Sequence, residues 1–264
     1  MGTQLGVFHQ VDAPALVPYS YGLFSVAEPR VLADPHWRLG VEWVSENCAD
    51  GKVTTGACID SEVAALTPDD YCDTASFEPF TAYAYNNQSL IGRTLEQHRD
   101  DAISRLIAGE QRAVEERFWT DITTAAGAAT DLTGWSASYA FAWLEQELAE
   151  QYGGTGVIHM NRAAATMLYD KFRYVGGRLV SPLGTSVVAG GGYDEQGSTA
   201  PGTAILIGTG PVVIYRGEVD TRQSAVNRPA NEVSIVAQRD YVLGWDCVAI
   251  GVDITLDTET VPSS

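Results

Sequence analysis

Lysine is nearly absent from this sequence, since Lys52 and Lys171 are the only two in 264 residues. Arginine supplies almost all of the positive charge, which favours fixed bidentate pairing, as in contacts between subunits. A compositional bias of the source organism would give the same result. Acidic residues outnumber basic ones by 34 to 16, so the formal charge is −18. Such a chain repels nucleic acid at long range, which excludes DNA binding by the surface as a whole.

Long apolar runs are also missing. The sequence has no stretch of 18 apolar residues, and its first 20 residues contain no basic segment that leads into an apolar one. We therefore expect neither a membrane span nor a signal peptide, and we expect a soluble protein made in the cytosol.

Cysteine is scarce, and no two cysteines have the C-x₂-C spacing of a zinc knuckle or a redox motif. The four are Cys48, Cys58, Cys72 and Cys247. We expect four inert thiols, and a Cys48–Cys58 bridge is the alternative in an oxidising compartment.

Motifs for catalysis or cofactor binding are absent as well. The sequence has no G-x-S-x-G elbow, and Gly190 to Gly192 are not followed by Lys-Ser/Thr, so a flexible turn is expected there. Glu115 and Glu116 beside arginines favour an exposed lattice of ion pairs over a pair of catalytic carboxylates. The histidines fall in four separate segments: His9, His36, His98 and His159. We therefore predict no catalytic, cofactor-binding or metal-binding residue and no cofactor.

A long helix is the best-defined element of the chain. The sequence from Thr94 to Trp119 repeats apolar residues at spacings of three and four, which predicts one buried stripe. Thr94 followed by Gln97 is a capping-box pattern. At 1.5 Å per residue the helix would be roughly 37 Å long, about twice the average. A long surface helix lying across a sheet would give the same pattern.

The segments before this helix predict an arm and a loop. Residues 1–35 contain four prolines and no lasting period, which is typical of an extended arm that is either disordered or held by a neighbouring subunit. Alternation predicts strands from His36 to Glu46 and from Phe77 to Asn86. About 30 turn-rich residues separate these strands, so we interpret the region as an extended β-hairpin loop.

The segments after the long helix predict an α+β protein with its strands late in the chain. Asp121 to Gly134 is expected to be a linker. A second helix is expected from Ser136 to Tyr152, ended by Gly153-Gly154, and a short strand GVIHMN precedes a helix capped by Asn161. Further strands are predicted at Arg178–Val180, Thr185–Ala189, Thr203–Ile207, Val212–Tyr215, Asn231–Arg239 and Asp246–Leu256.

This order of parts resembles that of the major capsid proteins of tailed bacteriophages, which have the HK97-like fold that encapsulin nanocompartments also use. The segments most similar to the family are GVIHMNRAAATMLYD, GRLVSPLGTSVVAG and NEVSIVAQRDYVLGWDCVAIGVDI. The resemblance implies an N-terminal arm (1–34), an extended loop (35–87), a peripheral domain with the spine helix (88–134 and 228–264) and a mixed α/β axial domain (135–227).

The resemblance also implies a function. The chain would assemble with itself, as hexamers and pentamers, into an icosahedral virion shell that encloses double-stranded DNA without binding it specifically. Assembly would take place in the cytoplasm of a host bacterium, and portal, scaffold and decoration proteins would be separate partners. No scaffold-like helical region precedes the arm, and the presence of Met1 speaks against its removal. An encapsulin-like compartment is the alternative, followed by a soluble α+β enzyme with an unrecognised site.

Two expectations about cohesion follow from the resemblance. Aromatic residues of the arm and of the loop strands are expected to contact other subunits, because exposed aromatics on a projecting hairpin would otherwise favour aggregation. These residues are Tyr19, Tyr21, Phe24, Trp37, Trp43, Phe77 and Phe80. The lysine–asparagine cross-link of one family member is not expected, because Lys52 is the only lysine of the loop and has no evident partner.

Overall fold

The computed structural model describes residues 16–31, 35–45, 48, 74–89, 94–193, 202–227 and 231–256. Several predictions lie outside the described residues. They concern the first half of the arm, most of the loop with Lys52, and the cysteines Cys58 and Cys72.

The helices of the described part are α1 (Leu23–Val26), α2 (Leu95–Ala126), α3 (Ala137–Gln151) and α4 (Arg162–Met167), with short 3-10 helices at Pro35–Leu39 and Tyr169–Lys171. The strands are β1 (Arg30–Val31), β2 (Val41–Val44), β3 (Thr74–Phe77), β4 (Pro79–Ser89), β5 (Thr130–Leu132), β6 (Val157–Asn161), β7 (Arg173–Val175), β8 (Arg178–Val180), β9 (Ser186–Gly190), β10 (Thr203–Thr209), β11 (Val212–Arg216), β12 (Asp220–Asn227), β13 (Glu232–Trp245) and β14 (Ala249–Thr255).

Helix α2 confirms the predicted long helix and its capping box. The Thr94 side chain accepts a hydrogen bond from the Gln97 N–H, and the Gln97 amide oxygen accepts one from the Thr94 N–H. The helix continues to Ala126, seven residues beyond the predicted end, and Gly127 follows it with φ +66°. The prediction of a linker beginning at Asp121 was therefore wrong, because Ile122 is fully buried and continues the apolar stripe.

The first predicted loop strand is also only partly correct. Residues Pro35–Leu39 form a 3-10 helix, and the strand begins at Val41. Gly40 separates the two at φ +121°, a conformation that favours glycine. The apolar residues alternate across this boundary, and for this reason the sequence predicted a single strand. In the structure Leu39 does not continue the strand and is 84% exposed.

A five-stranded sheet is built around β13. One edge of β13 pairs with β4 from Glu232 to Val242, and its other edge pairs first with β12 and then with β11. Strand β1 adds to β11 in parallel, and β2 and β3 form a separate antiparallel pair. The prediction ended β13 at Arg239, because the residues from Tyr241 to Leu243 are apolar on both faces and break the alternation.

A seven-stranded sheet has the order β5-β14-β10-β6-β9-β8-β7. Its strands include the predicted GVIHMN strand, and Asn161 caps α4 through its side chain as expected. Helix α3 ends on Tyr152 in an extended conformation, so the predicted left-handed glycine ending was wrong. Strands β5, β7 and β12 were not predicted, because the first two have only three residues and β12 is mostly polar.

Helix α2 joins the two sheets. Neighbouring residues of the seven-stranded sheet face opposite cores: Ile158 and Leu206 pack with α3, whereas Val157 and Ile207 pack with Phe118 of α2. The same helix covers one face of the five-stranded sheet through β4 and β13. Residues 212–227, which were assigned to the axial domain, lie in the five-stranded sheet with β13. Residues 249–255, which were assigned to the peripheral domain, lie in the seven-stranded sheet. The division into peripheral and axial domains stays a prediction.

Candidate assembly surfaces

A buried carboxylate on α2 fixes the N-terminal segment. Glu115 is fully buried and accepts hydrogen bonds from the Tyr19 hydroxyl and from the Leu23 N–H at 2.8 Å. It also accepts from the N–H groups of Gly191 at 2.7 Å and Gly192 at 3.0 Å. The predicted exposed position of Glu115 was therefore wrong. Its neighbour Glu116 does form the predicted surface ion pair with an arginine one turn earlier on α2.

Glycine is required where this segment meets α2. A Cβ atom on Gly192 would lie 2.7 Å from the Glu116 nitrogen, and one on Gly191 would lie 2.7 Å from the Tyr19 ring. At position 192 only glycine allows so close an approach to the α2 backbone, whereas at position 191 a Cβ atom would displace the Tyr19 side chain. Residues 190–192 therefore form a loop that is hydrogen-bonded to Glu115 of α2. The prediction of a flexible turn there was wrong.

The three arm aromatics have partners within the chain. Arg162 lies over the Tyr19 ring at 5.1 Å, and the Tyr21 carbonyl accepts from the Ala189 N–H at 2.7 Å. The Tyr21 ring contacts Tyr174 edge-on, and Phe24 stacks on Tyr241. Their role in contacts between subunits stays a prediction.

The four loop aromatics lie close to the base of the loop. Trp43 stacks on Phe77 with ring centroids 4.6 Å apart, and Phe77 meets Trp245 edge-on at 5.1 Å. Phe80 stacks on Tyr241, and Trp37 is buried beside Gly217. These contacts hold the β2–β3 pair against β13. Contacts of the same residues with other subunits stay a prediction.

The base of the loop also contains a disulfide between Cys48 and Cys247, whose Cα atoms are 5.6 Å apart. The Ser45 hydroxyl donates to Asp246 beside it. Neither the expectation of inert thiols nor the Cys48–Cys58 alternative holds for this pair. Their separation of 199 residues hides the pairing in the sequence.

A buried carboxylate, Glu110 of α2, binds two side chains of β13, and this contact was not predicted from the sequence. Arg239 of β13 donates to both carboxylate oxygens of Glu110 at 3.0 and 2.8 Å, and the Tyr241 hydroxyl donates to the same carboxylate at 2.9 Å. Burial, followed by the charge of Glu110, raises the pKa of Tyr241 to about 12. The i+2 spacing of Arg239 and Tyr241 is the only sequence signal, since it places both on one strand face.

His159 lies in the core and is fully buried. Its ring nitrogens are 3.0 Å from the Tyr193 hydroxyl and 2.9 Å from the Thr209 hydroxyl. Burial lowers the pKa of His159 to about 3, so the ring is neutral. Among the described residues, no group of three histidine, cysteine or acidic side chains could hold a metal ion.

The outer face of the five-stranded sheet carries exposed aromatic side chains. Tyr83 and Tyr85 on β4 are 68% and 63% exposed, and they pair in register with Gln238 and Val236 of β13. Within the described part of the chain, β4 pairs with a strand on one side only. A single sheet layer with an open edge and exposed tyrosines is typical of a surface that another chain covers. None of the described helices is both long and apolar enough for a membrane span.

Helix α2 packs against both the five-stranded and the seven-stranded sheet. No family model matches the sequence, and no curated protein matches it. Solved structures do match. The chain is 14% identical to the capsid chain of a native GTA particle, with 96% of each chain covered and a TM-score of 0.60.

Two other structures give the same result. A virus-like particle from Pyrococcus furiosus is 9% identical, covers 88% of this chain and 92% of its own, and has a TM-score of 0.55. The mature capsid of bacteriophage PhiM1 is 11% identical, covers 97% and 93%, and has a TM-score of 0.52. This chain therefore has the HK97-like fold, and the predicted α+β class is confirmed.

Proposed function

We propose that this chain is a major capsid protein, whose copies assemble as hexamers and pentamers into an icosahedral shell around phage double-stranded DNA. The observation that carries the proposal is the match over 96% of both chains with the capsid chain of a GTA particle. An HK97-like fold aligned from the N-terminal segment to the last strand includes the parts by which such a subunit would contact its neighbours.

The surfaces of the chain support the same proposal. The open edge of β4 and the exposed Tyr83 and Tyr85 are suited to burial against other copies. A formal charge of −18 suits a shell that lines a packaged genome without binding it tightly. The particle would assemble in the cytoplasm of the host, with portal, scaffold and decoration proteins as separate chains.

An encapsulin-like compartment is the second candidate, and the match to the virus-like particle from Pyrococcus furiosus favours it. The same subunit would then enclose cargo protein in place of DNA. The two candidates share a shell and differ in its contents.

The test is to express the chain, purify the assembled material and examine it by light scattering and electron microscopy. A closed particle is expected, and a homogeneous species near the 28.3 kDa chain mass would contradict both shell functions. Particles from infected or induced cells are then treated with nuclease, opened, and measured at 260 and 280 nm. Protected DNA supports the capsid, and protected protein cargo without DNA supports the compartment.

A further inference from the structure

Basic side chains outnumber acidic ones near one edge of the seven-stranded sheet, although the chain as a whole is acidic. Residues 153–193 contain four basic residues and one acidic residue, whereas the whole chain has 16 and 34. Three of the four, Lys171, Arg173 and Arg178, lie in or just before the β7–β8 hairpin. Lys171 pairs with Asp170, but Arg173 and Arg178 have no ion-pair partner among the described residues. This edge therefore presents two uncompensated guanidinium groups.

Apolar side chains accompany these arginines. Tyr174 and Val175 on β7 are 64% and 57% exposed, and Leu183 just beyond β8 is 81% exposed. In the described part of the chain, β7 pairs only with β8, so its outer edge is open. Arginine and tyrosine beside exposed aliphatic groups are the composition of the central part of a protein interface.

The opposite edge of the same sheet has the complementary charge. Asp131 on edge strand β5 is in register with Asp253 on β14. Burial, followed by the charge of Asp131, raises the pKa of Asp253, so the two carboxyl groups interact. No basic side chain pairs with either of them among the described residues. The Thr133 N–H and hydroxyl donate to Asp131 at 3.0 and 2.6 Å, so the Asp131 carboxylate is hydrogen-bonded but not neutralised by a cation of the described part. Like charges directly opposite on neighbouring strands destabilise a sheet.

An exposed aromatic pair follows this acidic edge. Trp135 stacks on Tyr139 with centroids 4.5 Å apart, and they are 57% and 45% exposed. Both come directly after β5, at the start of α3. The acidic edge thus combines negative charge with aromatic surface, as the basic edge combines positive charge with aromatic surface.

We infer that the β7–β8 edge of one copy binds the β5 edge of a second copy, with Arg173 and Arg178 facing Asp131 and Asp253. One chain cannot bring its own two edges together, because six strand spacings of about 4.8 Å separate them by roughly 29 Å along the sheet. Opposite surfaces that bind head to tail generate rings when the rotation closes. This inference rests on the proposed function and assigns the contact that closes its pentamers and hexamers.

A second copy fits the basic edge better than nucleic acid does. Among the described residues of this edge, Arg173 and Arg178 are the two guanidinium groups without an ion-pair partner, and a chain with a formal charge of −18 repels a polyanion. The matching acidic edge, in contrast, is present on every copy. DNA binding by the hairpin is therefore left as an outcome of the test that would overturn the inference.

The test replaces the basic edge and measures assembly. The double variant Arg173→Glu with Arg178→Glu should reduce the yield of rings and particles by at least about tenfold, since like charges then face each other across the contact. The control is Arg99→Glu with Arg112→Glu, which makes the same change in net charge on the exposed side of α2 and should stay within about twofold of wild type. Circular dichroism and thermal unfolding of the subunits should be unchanged, because all four side chains are exposed.

A charge exchange identifies the partner. Asp131→Arg with Asp253→Asn should also reduce assembly, and adding these changes to the Arg173→Glu, Arg178→Glu chain should restore the yield to within about threefold of wild type. Normal particle yield from Arg173→Glu, Arg178→Glu would overturn the inference. The inference would also be overturned if the Arg173→Glu, Arg178→Glu chain assembled poorly, the exchange failed to restore its yield, and the same chain had lost binding to DNA. Failure of the wild-type chain to assemble would instead contradict the proposed function.

Discussion

Glu115 gives the clearest prediction at the scale of single residues. It is fully buried, and three backbone N–H groups, those of Leu23, Gly191 and Gly192, donate to it. Glu115→Ala would leave these donors without an acceptor, at about 1–3 kcal/mol for each buried group. We therefore expect the free energy of unfolding to fall by at least about 3 kcal/mol in urea titrations.

The matched control for this prediction is Glu116→Ala on the next residue of α2. Its ion pair with Arg112 is exposed, so the free energy of unfolding should change by about 0.5 kcal/mol or less. Equal effects of the two substitutions would show that Glu115 does not hold the N-terminal segment. Hydrogen exchange at Leu23 should increase in the Glu115 variant only.

Because His159 is buried, we predict that the free energy of unfolding depends on pH. Burial lowers its pKa from 6.5 to about 3 in the folded chain. Between these values the unfolded chain binds the proton and the folded chain does not, so stability is full above pH 6.5 and declines as pH falls. The wild type should lose up to about 1.4 kcal/mol per pH unit more than His159→Gln in this window. Urea titrations of both proteins between pH 4 and 8 measure the difference, and parallel curves would contradict the assignment.

The loop base gives a prediction at the scale of elements. The Cys48–Cys247 disulfide ties the end of β2 to the turn between β13 and β14. Cys247→Ser should lower the free energy of unfolding by about 2–4 kcal/mol without reductant, because a long closed loop restricts the unfolded chain. Reductant should remove the difference between variant and wild type. Cys58→Ser serves as the control, and an equal loss in that variant would argue against the pairing.

At the scale of the whole molecule, we predict a shell whose subunits are not joined by covalent cross-links. An isopeptide bond needs a lysine amine free to attack a side-chain carbonyl, and the Lys171 amine is paired with the Asp170 carboxylate at 2.6 Å. Lys52 is the only other lysine. Intact particles boiled in detergent with reductant should run as one band near 28.3 kDa. A ladder of multiples of this mass would contradict the prediction.

Sequence reasoning was most accurate where the signal is local. The cap and apolar stripe of α2, the cap of α4 and the strand character of β8 and β10 all depend on residues within one element, and the structure confirms them. Glu115 was misplaced because its five donors come from residues 19, 23, 111, 191 and 192, and most of these are remote in the sequence. A charged residue between charged neighbours on a helix gives no local sign of burial.

The sequence by itself determined the order of elements, because helix and strand periods and caps are set by neighbouring residues. The tertiary structure alone decided which strands share a sheet, that Cys48 meets Cys247, and that Asp131 meets Asp253 at the edge opposite Arg173 and Arg178. These pairings depend on contacts between residues far apart in the chain. Their energy comes from burial and from charge separations of a few ångströms, and neither can be read from spacing along the sequence.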